Sequence, residues 1–239
     1  MTINFCNKST KVNNTQFSQI LLALSTYASN VTADWNLSPI NIVSVPNASL
    51  SSPANNTIFL FDNTDQAGAL GYHYEYKGLA VGEVFAQTIL DYAGPTAILY
   101  KNTTTPTVSS VMCHEFFEML GNPIANKWWM DNNGTLWAAE LCDPVQNNIY
   151  TVTIAGGVKV AMSDYILPLW SVPDATHSMG NFNKMNTVTT PFTIKNGYAI
   201  TLQGEYLVIE YGEGFPEELK PKAEADRQEM AQKFGLKTK

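Results

Sequence analysis

Between Val108 and Leu120 the chain runs Val-Ser-Ser-Val-Met-Cys-His-Glu-Phe-Phe-Glu-Met-Leu, which places His114, Glu115 and Glu118 in a His-Glu-x-x-Glu spacing. Residues four apart on an α-helix share a face, one turn above the other. His114 and Glu118 are therefore expected to point the same way, with Glu115 beside them. The rest of the stretch is apolar nearly all round, which predicts a buried helix. A buried carboxylate is costly unless it is paired, hydrogen-bonded or bound to a metal. A divalent cation is the most economical explanation for three titratable groups in such a helix. The competing explanation is that Glu115 and Glu118 pair with His114 and a lysine, or hydrogen-bond to backbone.

The spacing also says what a cation there would do. In a His-Glu-x-x-His metallopeptidase, two ligands come from one helical turn and the Glu is a general base. A third ligand comes from later in the chain, and the metal lowers the pKa of a water and polarises the scissile carbonyl. Here Glu118 stands in place of the second His, and carboxylate oxygen is an acceptable zinc ligand. Each added carboxylate makes the centre less positive and shifts preference toward harder ions such as calcium or manganese. Glu140-Leu141-Cys142-Asp143-Pro144 follows shortly after, so either Glu140 or Asp143 is placed to supply the third ligand.

Other polar residues carry weaker signals. His73 follows a Gly-punctuated stretch and reads as a hydrogen-bonded structural histidine. His177 sits beside Asp174 in a loop and reads as solvated. Asp62-Asn63-Thr64-Asp65 is first a turn sequence, although both Asp residues could touch calcium. Trp128, Trp129 and Trp137 read as core. There is no Gly-rich phosphate loop and no Gly-x-Ser-x-Gly elbow.

Composition excludes several function classes. Charged residues make up 15% of the 239-residue chain, the net charge is −7, and Arg227 is the sole arginine. A nucleic-acid surface needs clustered Lys and Arg, so no nucleic-acid partner is expected. No apolar stretch is long enough to span a membrane, and the start Met1-Thr2-Ile3-Asn4-Phe5-Cys6 lacks a basic segment followed by an apolar run. The expectation is a cytoplasmic or virion protein with no membrane association. The Asn-x-Ser/Thr triplets are what so Asn- and Thr-rich a chain holds by chance. Cys6, Cys113 and Cys142 have no framework spacing and read as buried thiols. Cys113 and Cys142 flank the two acidic motifs, so they approach each other if the motifs meet.

The elements that must position these groups follow from periodicity. Phe17, Ile20, Leu21, Leu24 and Tyr27 predict an amphipathic helix over 15–27, capped by Asn13, Asn14 or Thr15. Strands are expected over 38–45, 57–61 and 79–90. Pro106 suits the first position of the central helix with Thr105 as its cap, and Gly121 and Pro123 mark its end. Asn133-Gly134 predicts a hairpin between 128–130 and 135–139. Gly156-Gly157 predicts a second, between 150–154 and 158–161. Asn196-Gly197 predicts a third, between 192–194 and 198–202. A strand is expected over 205–211. From Glu213 the composition becomes charged, and a surface helix over 222–234 is expected.

Beyond these readings, the longer motifs resemble a known family. They are Asp65-Gln66-Ala67-Gly68-Ala69-Leu70-Gly71-Tyr72-His73, His114-Glu115-x-x-Glu118-Met119-Leu120-x-x-Pro123, Glu140-Leu141-Cys142-Asp143-Pro144-Val145, and Pro191-Phe192-Thr193 before Gly197-Tyr198. Together they resemble a largely uncharacterised family of bacterial and phage proteins related to zincin metallopeptidases. The likeness spans roughly 16–202. It implies an α+β fold: a zincin-like mixed sheet with an active-site helix, then β-hairpins and a C-terminal helical tail. Residues 1–212 would form the zincin-like domain and 213–239 the tail. An edge strand near 80–87 would lie along a substrate cleft. The resemblance carries over His114 and Glu118 as metal ligands, Glu115 as base, and Glu140 or Asp143 as third ligand. Asn122 stands where relatives often carry Asp, and Cys113 where Ser is usual.

Two functions compete at this level. One is a metal-dependent hydrolase, a zinc metallopeptidase acting on a peptide or protein substrate, with calcium or manganese as alternative ions. The other is a non-catalytic structural protein, such as a phage virion component, that keeps the scaffold with or without a structural metal. In either case the C-terminal tail is expected to bind a protein partner or another subunit.

Overall fold

The structure, a computed structural model, describes residues 1–66 and 68–239, without the side chains of Lys222 and Glu229. Ala67, inside the first long motif, lies outside the described residues. The protein is a mixed α+β structure with several sheets and a C-terminal helix.

The first sheet contains β1 (Thr2–Asn7), β2 (Asn41–Ser44), β3 (Thr57–Phe61), β4 (Gly71–Tyr76) and β5 (Leu79–Phe85), in the order β2-β1-β3-β5-β4. All neighbours are parallel except β4, which runs antiparallel to β5 along one edge. The return from β4 to β5 is a two-residue turn with φ of 53° at Lys77 and 81° at Gly78. Two consecutive positive-φ residues match the twist of the strands they join. The expected edge strand at 80–87 is thus corrected. Its first part is the inner strand β5, and from Ala86 the chain turns into α2 (Ala86–Ala93). The edge belongs to β4.

Helix α1 (Asn14–Asp34) begins with a capping box in which Asn13 and Gln16 satisfy each other's backbone N–H. It runs past the expected end at Tyr27 because Ala28 and Val31 continue its buried stripe. The central helix, α3 (Val108–Gly121), is capped by Thr107 rather than Thr105, and Ser110 closes the box. Every residue from Val108 to Leu120 is buried. The helix packs on β4 and β5 on one side. On the other it meets α1 and the strand β9 (Val158–Ser163), hairpin partner of β8 (Ile149–Ile154). Phe116 and Phe117 anchor it, with ring contacts to Phe5, Tyr27 and Tyr165.

The hairpin of β6 (Trp128–Met130) and β7 (Leu136–Ala138) forms as expected, with Gly134 at a φ of 81°. It joins a second sheet with β10 (Tyr198–Gln203) and β11 (Tyr206–Tyr211). The expected hairpin between 192–194 and 198–202 is not formed. β10 pairs with β11 instead, and Phe192 sits in a turn at a φ of 51°. Asn196-Gly197 has a different use. The Lys195 backbone N–H donates to Pro144 O, and a Cβ at Gly197 would stand 2.0 Å from Asp143 O. Only a residue without a side chain lets β10 start hard against the acidic 140–144 segment.

The C-terminal helix, α4 (Lys220–Phe234), is not merely a surface extension. Leu219, Ala223, Met230 and Ala231 are buried in the main core cluster. Beyond it, β12 (Lys237–Thr238) pairs with β11. No helix of the described residues is long and apolar enough to cross a membrane.

Gly197→Ala is expected to cost about 3 kcal/mol, because the added methyl overpacks against backbone that cannot rotate away. Gly204→Ala, at a φ of 65° with nothing within 4 Å, should cost only about 1 kcal/mol of left-handed strain. Urea midpoints at unchanged m-value measure the difference.

Candidate metal centre

The buried face of α3 carries His114 and Glu118 into contact with the segment after β7. His114 Nε2 lies 3.0 Å from Glu118 Oε1 and 3.2 Å from Asp143 Oδ1. All three side chains are buried. One atom from each of them falls within 4.8 Å of the others, a grouping that could hold a metal ion. Of the two candidate third ligands, Asp143 is the one brought to His114. Glu140 lies on the far side, where its Oε2 is 3.9 Å from His73 Nε2.

His73, expected as a hydrogen-bonded histidine, makes such a bond and also stands at the cluster. It sits on β4 opposite Gly82, facing the acids of α3. Its Nδ1 is 3.7 Å from both Glu115 Oε2 and Glu118 Oε2. Its Nε2 is 3.1 Å from the Asn122 carbonyl oxygen, which fixes the ring if Nε2 carries the proton. His73, Glu115 and Glu118 form a second group with the spacing of metal ligands. The alternation Tyr72, Tyr74, Tyr76 followed by Lys77-Gly78 was the available sign that His73 lies on a strand. The close approach of β4 to α3 depends on Gly71, where a Cβ would meet Glu115 Oε1 at 2.8 Å.

Asn122 caps α3 and ties the two halves of the site together. Its Nδ2 donates to Glu140 Oε1 at 2.9 Å, and its Oδ1 accepts from the backbone N–H groups of Asn126 and Lys127. The Glu140 oxygen left over, Oε2, has no hydrogen-bond partner among the described residues, nor do Glu115 Oε1, Glu118 Oε1 and His114 Nε2. Buried polar atoms are rarely left so. Of these atoms, His114 Nε2 and Glu118 Oε1 lie 3.0 Å apart with Asp143 Oδ1 beside them, and a cation there would be held by all three side chains.

The electrostatics agree. Burial acts against charge on His73, but the carboxylates of Glu115, Glu140 and Glu118 outweigh it and push the imidazole up to about 10. His114 is likewise raised against the pull of burial, chiefly by Glu118 and Asp143. Burial raises Glu118, aided by Asp143. Burial also raises Glu140, against the favourable pull of His73. Without a cation the cluster therefore holds protons that a divalent ion would displace.

The remaining candidates fall outside this centre. Burial pushes the Asp62 carboxyl up, but the hydroxyls of Ser9 and Thr10 and the Thr10 backbone N–H donate to it and together lower its pKa. Asp65 accepts from Tyr72 Oη. His177 is exposed and lies over the Phe182 ring, and Asp174 accepts from Asn132. Trp129 and Trp137 pack on Trp170. The three cysteines are buried and unbridged, and burial raises the Cys142 thiol, with Glu118 and Cys113 adding to it.

A cavity of about 70 Å³ opens at the centre, lined by His73, Glu115, Glu118, Glu140 and Asp143. Its lining also includes Tyr198 from β10 and Asp226, Met230 and Lys233 from α4. Tyr198 Oη donates to Asp226 Oδ2 at 2.5 Å, and Lys233 Nζ donates to Ile124 O. No family model, curated protein or solved structure matches this chain.

Asn122→Ala removes three hydrogen bonds, one of them to a buried carboxylate. It should cost about 3 kcal/mol in urea unfolding. Asn132→Ala, which removes one exposed bond to Asp174, should cost less than about 1 kcal/mol.

Proposed function

We propose that this protein is a metal-dependent hydrolase, a zincin-like metallopeptidase, with a divalent cation held by His114, Glu118 and Asp143. The supporting observation is the convergence of His114 Nε2, Glu118 Oε1 and Asp143 Oδ1. Their 3.0 and 3.2 Å separations are close to the edge of about 3.4 Å expected for a tetrahedron with bonds of about 2.1 Å. One imidazole with two carboxylates fits zinc, and the number of hard oxygens also suits manganese or calcium.

A cation so placed supplies Lewis acidity to a water and to a substrate carbonyl. The chain's own residues do the rest. Glu115 follows His114 on the same helix, lines the cavity and has Oε1 without a partner. It takes a proton from the attacking water and returns it to the leaving amine. Asn122 holds Glu140 by one oxygen and His73 by its carbonyl, keeping both beside Glu115 and Glu118. The antiparallel edge strand β4 borders the cavity through Tyr72, His73 and Tyr74. A peptide laid beside it would find strand hydrogen-bonding groups to pair with.

One observation favours a second reading. With α4 contributing to its lining, the cavity has room for a few waters or a small group, not for a length of polypeptide. A non-catalytic protein, such as a virion component, would use the same cation to tie α3 to the 140–143 segment.

Protein stripped with chelator and returned to zinc at 100 times its dissociation constant should gain about 2.7 kcal/mol of stability. The Glu118→Ala variant should gain far less. Hydrolysis of a generic protein substrate should fall at least about 100-fold in Glu115→Gln with zinc still bound. Zinc binding without hydrolysis in the wild type would favour the structural reading, and binding of none of zinc, manganese and calcium would exclude the hydrolase and the structural cation alike.

A further inference from the structure

We infer that the centre is built for two adjacent cations, the second held by His73, Glu115 and Glu118 with Glu118 bridging. This deepens the proposed metal centre and rests on it.

Glu118 turns its two oxygens toward different partners. Oε1 faces His114 at 3.0 Å, and Oε2 faces His73 at 3.7 Å. A carboxylate shared in this way is the usual bridge of two-metal hydrolase sites. His73, Glu115 and Glu118 each bring one ligand atom within 4.8 Å of the others, a grouping separate from that of His114, Glu118 and Asp143 and joined to it through Glu118.

A protonated His73 is the rival occupant, and distance argues against it. A charge-assisted N–H···O bond is about 2.7–2.9 Å long. The Nδ1 atom stands 3.7 Å from both Glu115 Oε2 and Glu118 Oε2. That gap is too long for such a bond, yet it suits two ligand atoms reaching one ion over bonds of about 2.1 Å. The ring is also set as a ligand. With Nε2–H donating to the Asn122 carbonyl oxygen at 3.1 Å, Nδ1 presents its lone pair, the arrangement common to metal-binding histidines. Glu115 would serve this position through Oε2, leaving Oε1 as the oxygen without a partner.

Charge points the same way. Glu115, Glu118, Glu140 and Asp143 are all buried and together carry four negative charges when ionised. One divalent cation leaves two of these uncompensated in a low-dielectric setting. A second brings the cluster to neutrality with both imidazoles uncharged.

The test is a count of bound metal on the full chain. Chelator-stripped protein is equilibrated with excess zinc, passed through a desalting column and analysed by mass spectrometry. Two zinc ions per chain are expected in the wild type and one in His73→Ala. His73→Gln keeps an N–H donor for Asn122 O and guards against misfolding, which circular dichroism checks; it should also hold one. Manganese gives an independent readout. The wild type at two equivalents should show a broadened, spin-coupled resonance, and either His73 variant at one equivalent a resolved six-line spectrum. One zinc in the wild type overturns the second position while leaving the first centre intact. Two zinc ions retained in both His73 variants overturn it as well, since the second ion then lies elsewhere. No zinc at all overturns the centre altogether.

Discussion

Burial of four carboxylates against two imidazoles is the constraint around which this molecule is built. Glu115, Glu118, Glu140 and Asp143 are each at most 6% exposed, and an isolated ionised carboxylate in such surroundings would shed its charge. The acids stay together because His73 and His114 stand among them and because three separate elements are locked around the cluster. Helix α3 supplies His114, Glu115 and Glu118 from an otherwise apolar surface. The edge strand β4 supplies His73, at a distance set by Gly71. The segment after β7 supplies Glu140 and Asp143, held by Asn122 and by the backbone near Gly197. Repulsion among the acids is therefore offset by packing elsewhere in the core, to which the aromatic contacts of Phe116 and Phe117 belong.

This arrangement explains why the central helix is buried on every side. A helix with one wet face could let its carboxylates reach water, and the cluster would lose its purpose. Here one side of α3 lies on the parallel sheet and the other on α1 and the β8–β9 hairpin. A small cavity beside α4 reaches the cluster. Tyr198 and Asp226, joined by a short hydrogen bond, belong to its lining. Catalysis would require this lining to shift, whereas a structural cation would be served by it as it stands.

Much of the centre was legible in the sequence, for physical reasons. The His-Glu-x-x-Glu spacing needs only helical geometry to bring His114 and Glu118 together, and the apolar surroundings announce burial. The Asn133-Gly134 turn correctly returned the chain so that Glu140 and Asp143 follow α3 closely. His73 was not legible as part of the cluster, because its placement depends on an antiparallel return paired across the sheet, and no local pattern encodes that contact. Asn196-Gly197 misled for a related reason. A Gly that permits close backbone approach and a Gly that permits a hairpin have the same letter. The polar composition of the tail likewise concealed Ala223 and Met230, whose burial depends on what lies beneath α4. The α+β class itself was legible, since long helical stripes and short alternating strands alternate along the chain.

Anomalous scattering from a zinc-loaded crystal, recorded on either side of the zinc edge, tests the central claim most directly. A peak about 2.0–2.2 Å from His114 Nε2, Glu118 Oε1 and Asp143 Oδ1 is the expected result. Density showing the same side chains in place, with no anomalous peak among them or with zinc only at the surface, would contradict the account.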